Sequence, residues 1–336
     1  MSNSFTKITV LGAGRWGTAM AIYLSKKDHL QVSLQCHLQA EFDSITNEQK
    51  APNLPNFSTG GRVTPVMDLN EAVASADLVV ISTPVPFLRS LLDHLTSLKA
   101  TTPIVTINKG IERGTLKTVP EIVNEILPNQ PVAHLGGPCF PEGLLSDLSP
   151  VAETLACADA ALGQKIQELF ASPSFRVYRS TELKGVAILG ALKNVYAIIA
   201  GIATGMGMYE EATAVLVTRG LAEMKQLCDK LEVPMETLYG LSGLGDLALT
   251  CYSLKSSHNK NFGLRLGKGE TPQEILDHMG SQVAEGYYTT RAAYDLSQKL
   301  EVEMPLCAAA YEIIYNNQPA AEVLAKLMSR PLKAED

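Results

Sequence analysis

Three glycines, Gly12, Gly14 and Gly17, lie between a short apolar run and a helical pattern, and their spacing restricts the fold more than any other feature of the chain. Residues 7–11 (KITVL) are typical of a buried strand, and residues 18–27 (TAMAIYLSKK) of a helix. In such a strand–turn–helix, one glycine makes the tight turn, one admits a phosphate close to the backbone, and one lets the helix pack on the strand. The motif predicts a parallel α/β domain that binds a dinucleotide at a helix N-terminus. A methyltransferase-like nucleotide site and a chance turn are the alternatives.

The first half of the chain alternates β-branched runs with helical periods, which is the pattern of a doubly wound sheet covered by helices. Further strands are predicted at residues 31–35, 77–83, 103–108 and 131–136, and a long connection at about 47–65. From about Thr181 onward, apolar residues recur at intervals of three and four, without a convincing strand. We predict an N-terminal Rossmann-like α/β domain over residues 1–184 and an all-α C-terminal domain over residues 185–336.

The charge balance and the cysteine pattern exclude several classes of protein. Among 336 residues, 28 are basic and 35 acidic, which gives a net charge of −7 and opposes bulk electrostatic binding of nucleic acid or anionic lipid. Six scattered cysteines without a C-x-x-C pair indicate a reducing compartment and no metal site. With no signal-peptide pattern before the glycines, we expect a cytoplasmic location, no nucleic-acid partner, and a small-molecule substrate.

Residues 185–208 form an almost wholly apolar stretch that is long enough to cross a bilayer. Lys193 lies near its middle and Asn194 follows, which places a charge where hydrocarbon would be. The stretch also contains five glycines. We therefore predict the buried helix of a soluble protein and no membrane insertion.

Two lysines and one aspartate lie where a charged side chain needs an explanation. Lys109 ends a predicted strand, at the edge where open α/β sheets bind their ligands, although a solvated lysine is the alternative. A buried Lys193 must be paired or functional, unless it extends to a domain surface. Asp246 is the only charge in a glycine-rich apolar segment. We expect it to be either a helix cap or the partner of a cation. Together, the three residues predict a site that polarises a carbonyl group.

The identity of the dinucleotide depends on the end of the second strand, which reads Gln35, Cys36, His37. A strict NAD enzyme usually has a carboxylate there, to bind the ribose 2′-hydroxyl. Its absence favours NADPH, with NADH as the alternative. His37 is then a candidate contact to the 2′-phosphate, or a plain surface histidine. Arg15 and Trp16 are placed to flank the cofactor, and simple packing is the alternative for Trp16.

Nearly the whole chain resembles the NAD(P)-dependent glycerol-3-phosphate dehydrogenases of the bacterial type. The motifs GAGRWGTAMA, INKGIE, GGPCF, ALKN, VTRGLAEM, GLSGLGDLALTC, NFG and VAEGYYT occur in that order, and the ALKN and GLGDL blocks are more specific than the glycine loop. The resemblance implies reversible hydride transfer between a nicotinamide and C2 of dihydroxyacetone phosphate, giving sn-glycerol 3-phosphate for phospholipid synthesis. It also implies a homodimer.

The resemblance assigns roles to individual residues. It implies that Lys193, Lys109 and Asp246 are catalytic, with Lys193 donating a proton to the ketone oxygen. The implied substrate-binding residues are Lys109, Gly137, Cys139, Lys193, Asp246, Ser257, His258 and Asn259. The implied cofactor-binding residues, which include those of the glycine loop, are Gly12, Gly14, Arg15, Trp16, Gly17, His37, Lys109, Pro141, His258, Val283 and Glu285.

Several positions depart from the family pattern. His258 replaces an arginine, Cys139 replaces a hydroxyl residue, and Pro141 replaces a small residue that has a backbone donor. Lys260, where a second arginine is common, is a candidate to compensate for His258. Two further hypotheses are therefore kept: another reductase, acting on a 3-hydroxy acid or a 2-keto acid, and a catalytically silent protein that senses the dinucleotide.

Overall fold

The computed structural model describes residues 5–51, 53–146, 148–253, 257–279, 284–332 and 334. Its first part is built on an eight-stranded sheet. The strands are β1 (Lys7–Leu11), β2 (Gln31–Gln35), β3 (Val63–Val66), β4 (Leu78–Ile81), β5 (Ile104–Thr106), β6 (Val132–Gly136), β7 (Val151–Cys157) and β8 (Phe175–Ser180).

The strands lie in the order β3-β2-β1-β4-β5-β6-β7-β8, and all neighbours are parallel except β6 and β7. The first six follow the order of a dinucleotide-binding Rossmann fold, in which the strand order reverses between β1 and β4. Ligands of such sheets bind outside the carboxyl ends of the strands at this reversal. The predicted fold class, a Rossmann-like sheet followed by an all-α part, is confirmed.

Helices cover the sheet and form the remainder of the chain. Those interspersed with strands are α1 (Arg15–Ser25), α2 (Gln39–Glu48), α3 (Leu69–Ala74), α4 (Val85–Asp93), α5 (Val119–Ile126), α6 (Pro141–Leu145) and α7 (Ala160–Phe170). Those that follow are α8 (Leu183–Gly205), α9 (Glu210–Leu231), α10 (Met235–Tyr239), α11 (Asp246–Tyr252), α12 (His258–Gly267), α13 (Pro272–Met279), α14 (Glu285–Leu300), α15 (Pro305–Tyr315) and α16 (Ala320–Met328). A π-helical turn, Leu241–Gly245, leads directly into α11.

The sequence analysis missed three strands, β3, β7 and β8. The long connection predicted at about 47–65 covers residues 49–62, because α2 continues to Glu48 and β3 begins at Val63. Pro65 obscured β3, since proline is tolerated only on edge strands such as this one. β8 is the opposite edge, and its exposed Arg176 and Arg179 dilute the apolar pattern. Edge strands need fewer apolar residues and are correspondingly harder to predict.

The chain forms two compact units. The sheet unit comprises Met1–Lys109 and Thr118–Ala187, and the helical unit comprises Gly110–Lys117 and Ile188–Asp336. The short segment Gly110–Lys117 therefore groups with the helices although it lies between β5 and α5. The domain limits of 1–184 and 185–336 remain a prediction.

Helix α8 is long and apolar enough to span a membrane by length and composition, and is the only such helix in the described parts of the chain. Its most apolar 18-residue window is completely buried inside the protein. Such burial is that of a core helix, which is what residues 185–208 were predicted to form.

Helices α8 and α12 touch through their backbones inside the helical unit. A Cβ atom at Gly201 would lie 2.1 Å from the carbonyl oxygen of Lys260, and one at Gly263 would lie 2.0 Å from that of Ile198. Gly205 and Gly267 make equally close approaches one turn further on. Because only glycine permits this contact, the pattern fixes the N-terminus of α12 beside the middle of α8, where Lys193 lies.

Candidate active site

The glycine loop has the shape that a bound pyrophosphate requires. Gly12 adopts φ +101°, and a Cβ atom at Gly17 would lie 1.9 Å from the carbonyl oxygen of Gly12. A Cβ atom at Gly14 would meet nothing within 4 Å, so the space beside the N-terminus of α1 is open. Helix α1 has no side-chain cap and no acidic residue in its first turn. These features fit a dinucleotide, whose phosphates would accept hydrogen bonds from the helix N-terminus.

The loop is supported from both sides. Asn53 donates a hydrogen bond to the carbonyl oxygen of Ala13 across 2.8 Å. On the other side, Arg15 forms an ion pair with Glu142, in the first turn of α6. This pair brings Pro141 close to the glycine loop. Pro141 occupies the first position of α6, where a backbone N–H would have no partner within the helix, so its missing donor disturbs the helix little.

Lys109 lies beyond the end of β5 and is 94% buried. Its ammonium donates a hydrogen bond to the carbonyl oxygen of Gly137 across 3.0 Å. Burial, together with the positive charge of Lys109, lowers the pKa of His134 to about 3, so His134 is neutral at pH 7. Cys139 is buried in the same loop, with its Sγ 3.4 Å from the carbonyl oxygen of Phe140. The sheet unit thus joins three predicted substrate residues, Lys109, Gly137 and Cys139, in one place.

The end of β2 carries a carboxylate that the sequence analysis did not consider. Glu41 lies in the first turn of α2 and accepts hydrogen bonds from the backbone N–H groups of His37 and Leu38, each at 3.2 Å. The His37 side chain is exposed. The fold therefore places a carboxylate beside His37, the residue predicted to contact the ribose 2′ substituent, although no carboxylate stands at the end of β2 itself.

Lys193, Asp246 and Thr250 form a buried cluster in the helical unit. The ammonium of Lys193 donates hydrogen bonds to Asp246 Oδ1 and to Thr250 Oγ1, both at 2.8 Å. The Lys193 and Asp246 side chains are 7% and 1% exposed. The hydroxyl of Thr250 in turn donates to the carbonyl oxygen of Asp246 at 2.7 Å. A lysine held charged in this way is suited to general-acid chemistry and to the stabilisation of a developing oxyanion.

A second network surrounds the residue that follows Lys193. Asn259 donates to Asn194 Oδ1 at 2.9 Å, and its own Oδ1 accepts a hydrogen bond from the backbone N–H of Gly286 at 2.8 Å. Ser257 caps α12 by accepting a hydrogen bond from the backbone N–H of Lys260 at 3.1 Å. The network thus connects α8, the first turn of α12 and the first turn of α14.

Lys260 is 4% exposed, and its ammonium makes no hydrogen bond or ion pair with the other described residues. Burial lowers its pKa, which the negative potential of Cys251 and Glu210 partly offsets. Lys193 and Lys260 both act on the pKa of Cys251, so the two ammonium groups lie in the same region of the helical unit. An ammonium buried in this way is a candidate for binding an anion.

Comparison with known proteins identifies the chain. The descriptions "NAD-dependent glycerol-3-phosphate dehydrogenase N-terminus" and "C-terminus" match residues 7–162 and 182–325. A curated relative from Citrifermentans bemidjiense, named glycerol-3-phosphate dehydrogenase [NAD(P)+], is 40% identical over 333 residues and covers 98% of each chain. The chain belongs to the NAD-dependent glycerol-3-phosphate dehydrogenase family.

Solved structures agree with this family assignment. A crystal structure of glycerol-3-phosphate dehydrogenase from Coxiella burnetii is 31% identical, with a TM-score of 0.91, and the match covers 97% of this chain and 99% of that one. A ketopantoate reductase from Ralstonia eutropha has a TM-score of 0.61 at 14% identity, over 96% and 100% of the two chains. The latter likeness shows the fold alone.

The remaining predicted cofactor residues lie in different environments. Arg15 is held in its ion pair, and Trp16 is partly buried against the core of the sheet unit. Glu285 begins α14. Val283 lies outside the described residues. In the described part of the chain, no group of three or more His, Cys, Asp and Glu residues is arranged to hold a metal ion.

The sequence analysis gave no role to Asn53, Glu41, Asn194 or Thr250. Asn194 was noted only as a polar residue after Lys193, and Thr250 lies four residues after Asp246, on the same face of α11. The helical spacing from Asp246 is a signal by which Thr250 could have been found. The contact of Asn53 with the glycine loop joins residues 40 positions apart and has no local signal.

Proposed function

We propose that this protein catalyses the NAD(P)H-dependent reduction of dihydroxyacetone phosphate to sn-glycerol 3-phosphate. The observation that carries the proposal is the buried Lys193–Asp246–Thr250 cluster, in a chain that is 40% identical to a named glycerol-3-phosphate dehydrogenase over 98% of its length. An isolated ammonium would be expensive to bury, and a cluster that keeps it charged supports a role in proton transfer.

The chemistry follows from where charge develops. When bound, the reduced nicotinamide supplies a hydride to C2 of the ketone, and negative charge then builds on the carbonyl oxygen. Lys193 donates a hydrogen bond and then its proton to that oxygen. Asp246 and Thr250 hold the ammonium in position, and Asp246 favours its charged form. Lys109, Gly137 and Cys139 are proposed to contact the substrate, as the resemblance implies.

The substrate phosphate needs a cation that is charged at neutral pH. Ser257, His258 and Asn259 are the proposed phosphate residues, and His258 is a weaker anion ligand than the arginine it replaces. Lys260 supplies the charge in our proposal, since it is buried one residue after Asn259 and its ammonium forms no ion pair with the other described residues.

The cofactor is proposed to lie on the glycine loop, with Gly12, Gly14 and Gly17 forming its cradle and Arg15, Trp16, His37, Pro141, Val283 and Glu285 around it. The preference for NADPH that the sequence suggested rested on a missing carboxylate. Glu41 weakens that argument, because its charge would repel a 2′-phosphate and its hydrogen bonds occupy two backbone donors. NADH is therefore a full alternative.

The decisive experiment measures oxidation of NADH and of NADPH by the purified protein, with four carbonyl compounds offered in turn. These are dihydroxyacetone phosphate, unphosphorylated dihydroxyacetone, a 2-keto acid, and 3-oxobutanoate as the oxidised form of a 3-hydroxy acid. The proposal expects turnover with dihydroxyacetone phosphate alone. Preferential turnover of one of the other three would identify another reductase, and cofactor binding without any turnover would identify a sensor.

Further parts of the proposal concern the protein in the cell. A homodimer, a cytoplasmic location and a role in supplying glycerol 3-phosphate for phospholipids are expected by resemblance. Light scattering on the purified protein and fractionation of cells test the first two. Loss of the gene should create a requirement for glycerol 3-phosphate if the third is correct.

A further inference from the structure

Arg113 contacts three tyrosine rings in the helical unit, although its side chain is exposed. Its guanidinium carbon lies 5.7 Å from the ring centre of Tyr287, 5.1 Å from that of Tyr288 and 5.3 Å from that of Tyr315. The guanidinium also donates a hydrogen bond to the hydroxyl of Tyr315. We refer to these four residues as the Arg113 cage. Three simultaneous cation–π contacts on one arginine are well above the usual frequency of such contacts in proteins.

The cage joins segments that are distant in sequence. Arg113 belongs to Gly110–Lys117, the segment that begins directly after Lys109. Tyr287 and Tyr288 lie in the first turn of α14, and Tyr315 ends α15. The hydroxyl of Tyr315 donates to the carbonyl oxygen of Tyr287 across 2.5 Å, so the cage also fixes the backbone of α14.

The cage leads directly to Asn259. Tyr287 follows Gly286, whose backbone N–H donates to Asn259 Oδ1. The ring of Tyr287 also packs edge-on against Phe262, one turn after Asn259 on α12, with ring centres 5.9 Å apart. Two independent contacts, one polar and one aromatic, therefore connect the cage to the helix turn that carries Asn259.

We propose that Arg113 is a positioning residue for substrate binding: through Tyr287 and Gly286 it holds Asn259 in the orientation that receives the substrate. This inference rests on the role proposed above for Asn259. Arg113 is outside the Lys193–Asp246–Thr250 cluster, so its loss affects binding rather than proton transfer. The cage sets KM and leaves kcat nearly unchanged.

Helix α14 offers a matched control. Arg291 also lies over a tyrosine ring, that of Tyr311 at 5.2 Å, and donates a hydrogen bond to the Tyr311 hydroxyl at 2.8 Å. It forms an ion pair with Asp295, one turn later on the same helix. Arg291→Ala therefore removes the same kinds of contact outside the turn that carries Gly286, at a ring that meets the Arg113 cage only by stacking on Tyr315, with ring centres 5.3 Å apart.

The experiment measures the KM for dihydroxyacetone phosphate, kcat, and deuterium uptake at the backbone amide of Gly286. For Arg113→Ala we expect KM to rise about fivefold, as when a partly exposed cation–π contact is lost, and kcat to stay within about twofold. The KM of Arg113→Lys should lie between those of Arg113→Ala and the unmodified protein. The KM of Arg291→Ala should match that of the unmodified protein. Exchange at Gly286 should accelerate in Arg113→Ala only. If Arg113→Ala does not fold, Tyr315→Phe, which removes the phenol hydroxyl and keeps the ring, should show the same pattern.

An unchanged KM and unchanged exchange in Arg113→Ala would overturn the proposal, as would an equal effect of Arg291→Ala. A fall in kcat at constant KM would also contradict it. If the unmodified protein does not reduce dihydroxyacetone phosphate at all, the proposed function fails, but exchange at Gly286 still decides whether the cage holds this turn.

Discussion

The ammonium of Lys193 lies 2.8 Å from Asp246 Oδ1, in the interior of the helical unit. Removing one member of such a pair leaves the other as an uncompensated buried charge, which destabilises proteins by about 3–5 kcal/mol. A need for stability nevertheless does not explain the pair, because two well-packed apolar residues in its place would often make a protein equally stable. Its presence in the middle of an apolar helix is therefore better explained by chemistry at the ammonium.

The open space beside Gly14 predicts a variant that folds but binds cofactor poorly. Gly14→Ala should leave thermal stability almost unchanged, since the added methyl group meets no protein atom within 4 Å. The methyl group would occupy the space of the pyrophosphate, so Kd for NADH should rise by about tenfold or more, or about 1.4 kcal/mol. The single tryptophan, Trp16, lies two residues away and provides a fluorescence signal for titration.

Gly17→Ala is the contrasting variant, because its methyl group would clash with the carbonyl oxygen of Gly12 and should reduce stability. Unchanged cofactor affinity in Gly14→Ala would show that the glycine loop is not the pyrophosphate site.

Glu41 predicts the direction of a change in cofactor preference. Glu41→Gln removes a negative charge beside the expected 2′ position, and two charges 4 Å apart in water repel by about 1 kcal/mol. The ratio of kcat/KM for NADPH to that for NADH should therefore rise about fivefold. Initial rates at matched cofactor concentrations test this, with the exposed Glu48→Gln on the same helix as control. A ratio that does not move would remove Glu41 from cofactor selection.

Part of the fold and of the candidate site could be predicted from the sequence. Strands β1 and β2 and the glycine loop were predicted because their signals are local: an apolar run, a turn and a helical period within about 20 residues. The high free energy of burying single charges marked Lys193 and Asp246 as residues that need a partner or a function. Asp246 remained either a helix cap or the partner of a cation, and the structure shows that it pairs with Lys193, 53 positions away. The triplet at 257–259 was found by resemblance only.

Other features have no local signal. Glu41 reaches the end of β2 because a capping interaction folds it back, and the sequence shows only a glutamate in a helix. Arg113, in the segment Gly110–Lys117 that groups with the helices, contacts tyrosines about 175–200 positions away in the sequence. Contacts of this kind depend on the whole fold, so the local hydrophobic periodicity of the sequence does not predict them.

Lys260 predicts a selective loss of substrate affinity. Lys260→Met keeps the length and packing of the side chain but removes the charge, so KM for dihydroxyacetone phosphate should rise about thirtyfold, or about 2 kcal/mol, as for a lost charged hydrogen bond. The exposed Lys268→Met at the other end of α12 is the control. An equal KM in both variants would exclude Lys260 as a phosphate ligand.

Glu223 predicts a pH-dependent stability. Its carboxylate is 96% buried and accepts hydrogen bonds from Tyr196 at 3.2 Å and from the backbone N–H groups of Leu306 and Cys307. Burial raises its pKa from 4.5 to about 7, against the opposing effect of these donors and of Arg219. The native state thus binds this proton more tightly than the unfolded chain does.

The stability that Glu223 contributes is therefore complete below about pH 4.5 and is lost as the pH rises to about 7, by a total of about 3 kcal/mol. Glu223→Gln should remove this dependence, so that the difference in free energy of unfolding between the two proteins changes across that interval and is constant above it. Urea unfolding at several pH values, with the exposed Glu236→Gln as control, measures it. A difference independent of pH would mean that Glu223 titrates normally.

The most direct test of the account is kcat for Lys193→Ala with saturating dihydroxyacetone phosphate and cofactor. Because general-acid catalysis contributes about 10²–10⁴-fold, kcat should fall about a thousandfold. The Kd for NADH, which we propose the glycine loop binds, should stay unchanged. Asp246→Asn combined with Lys193→Ala removes the stranded carboxylate and confirms that the loss is not one of folding. A small primary amine that fits the space left by Lys193 should restore part of the rate. A near-normal kcat in Lys193→Ala would contradict the assignment of Lys193 as the proton donor.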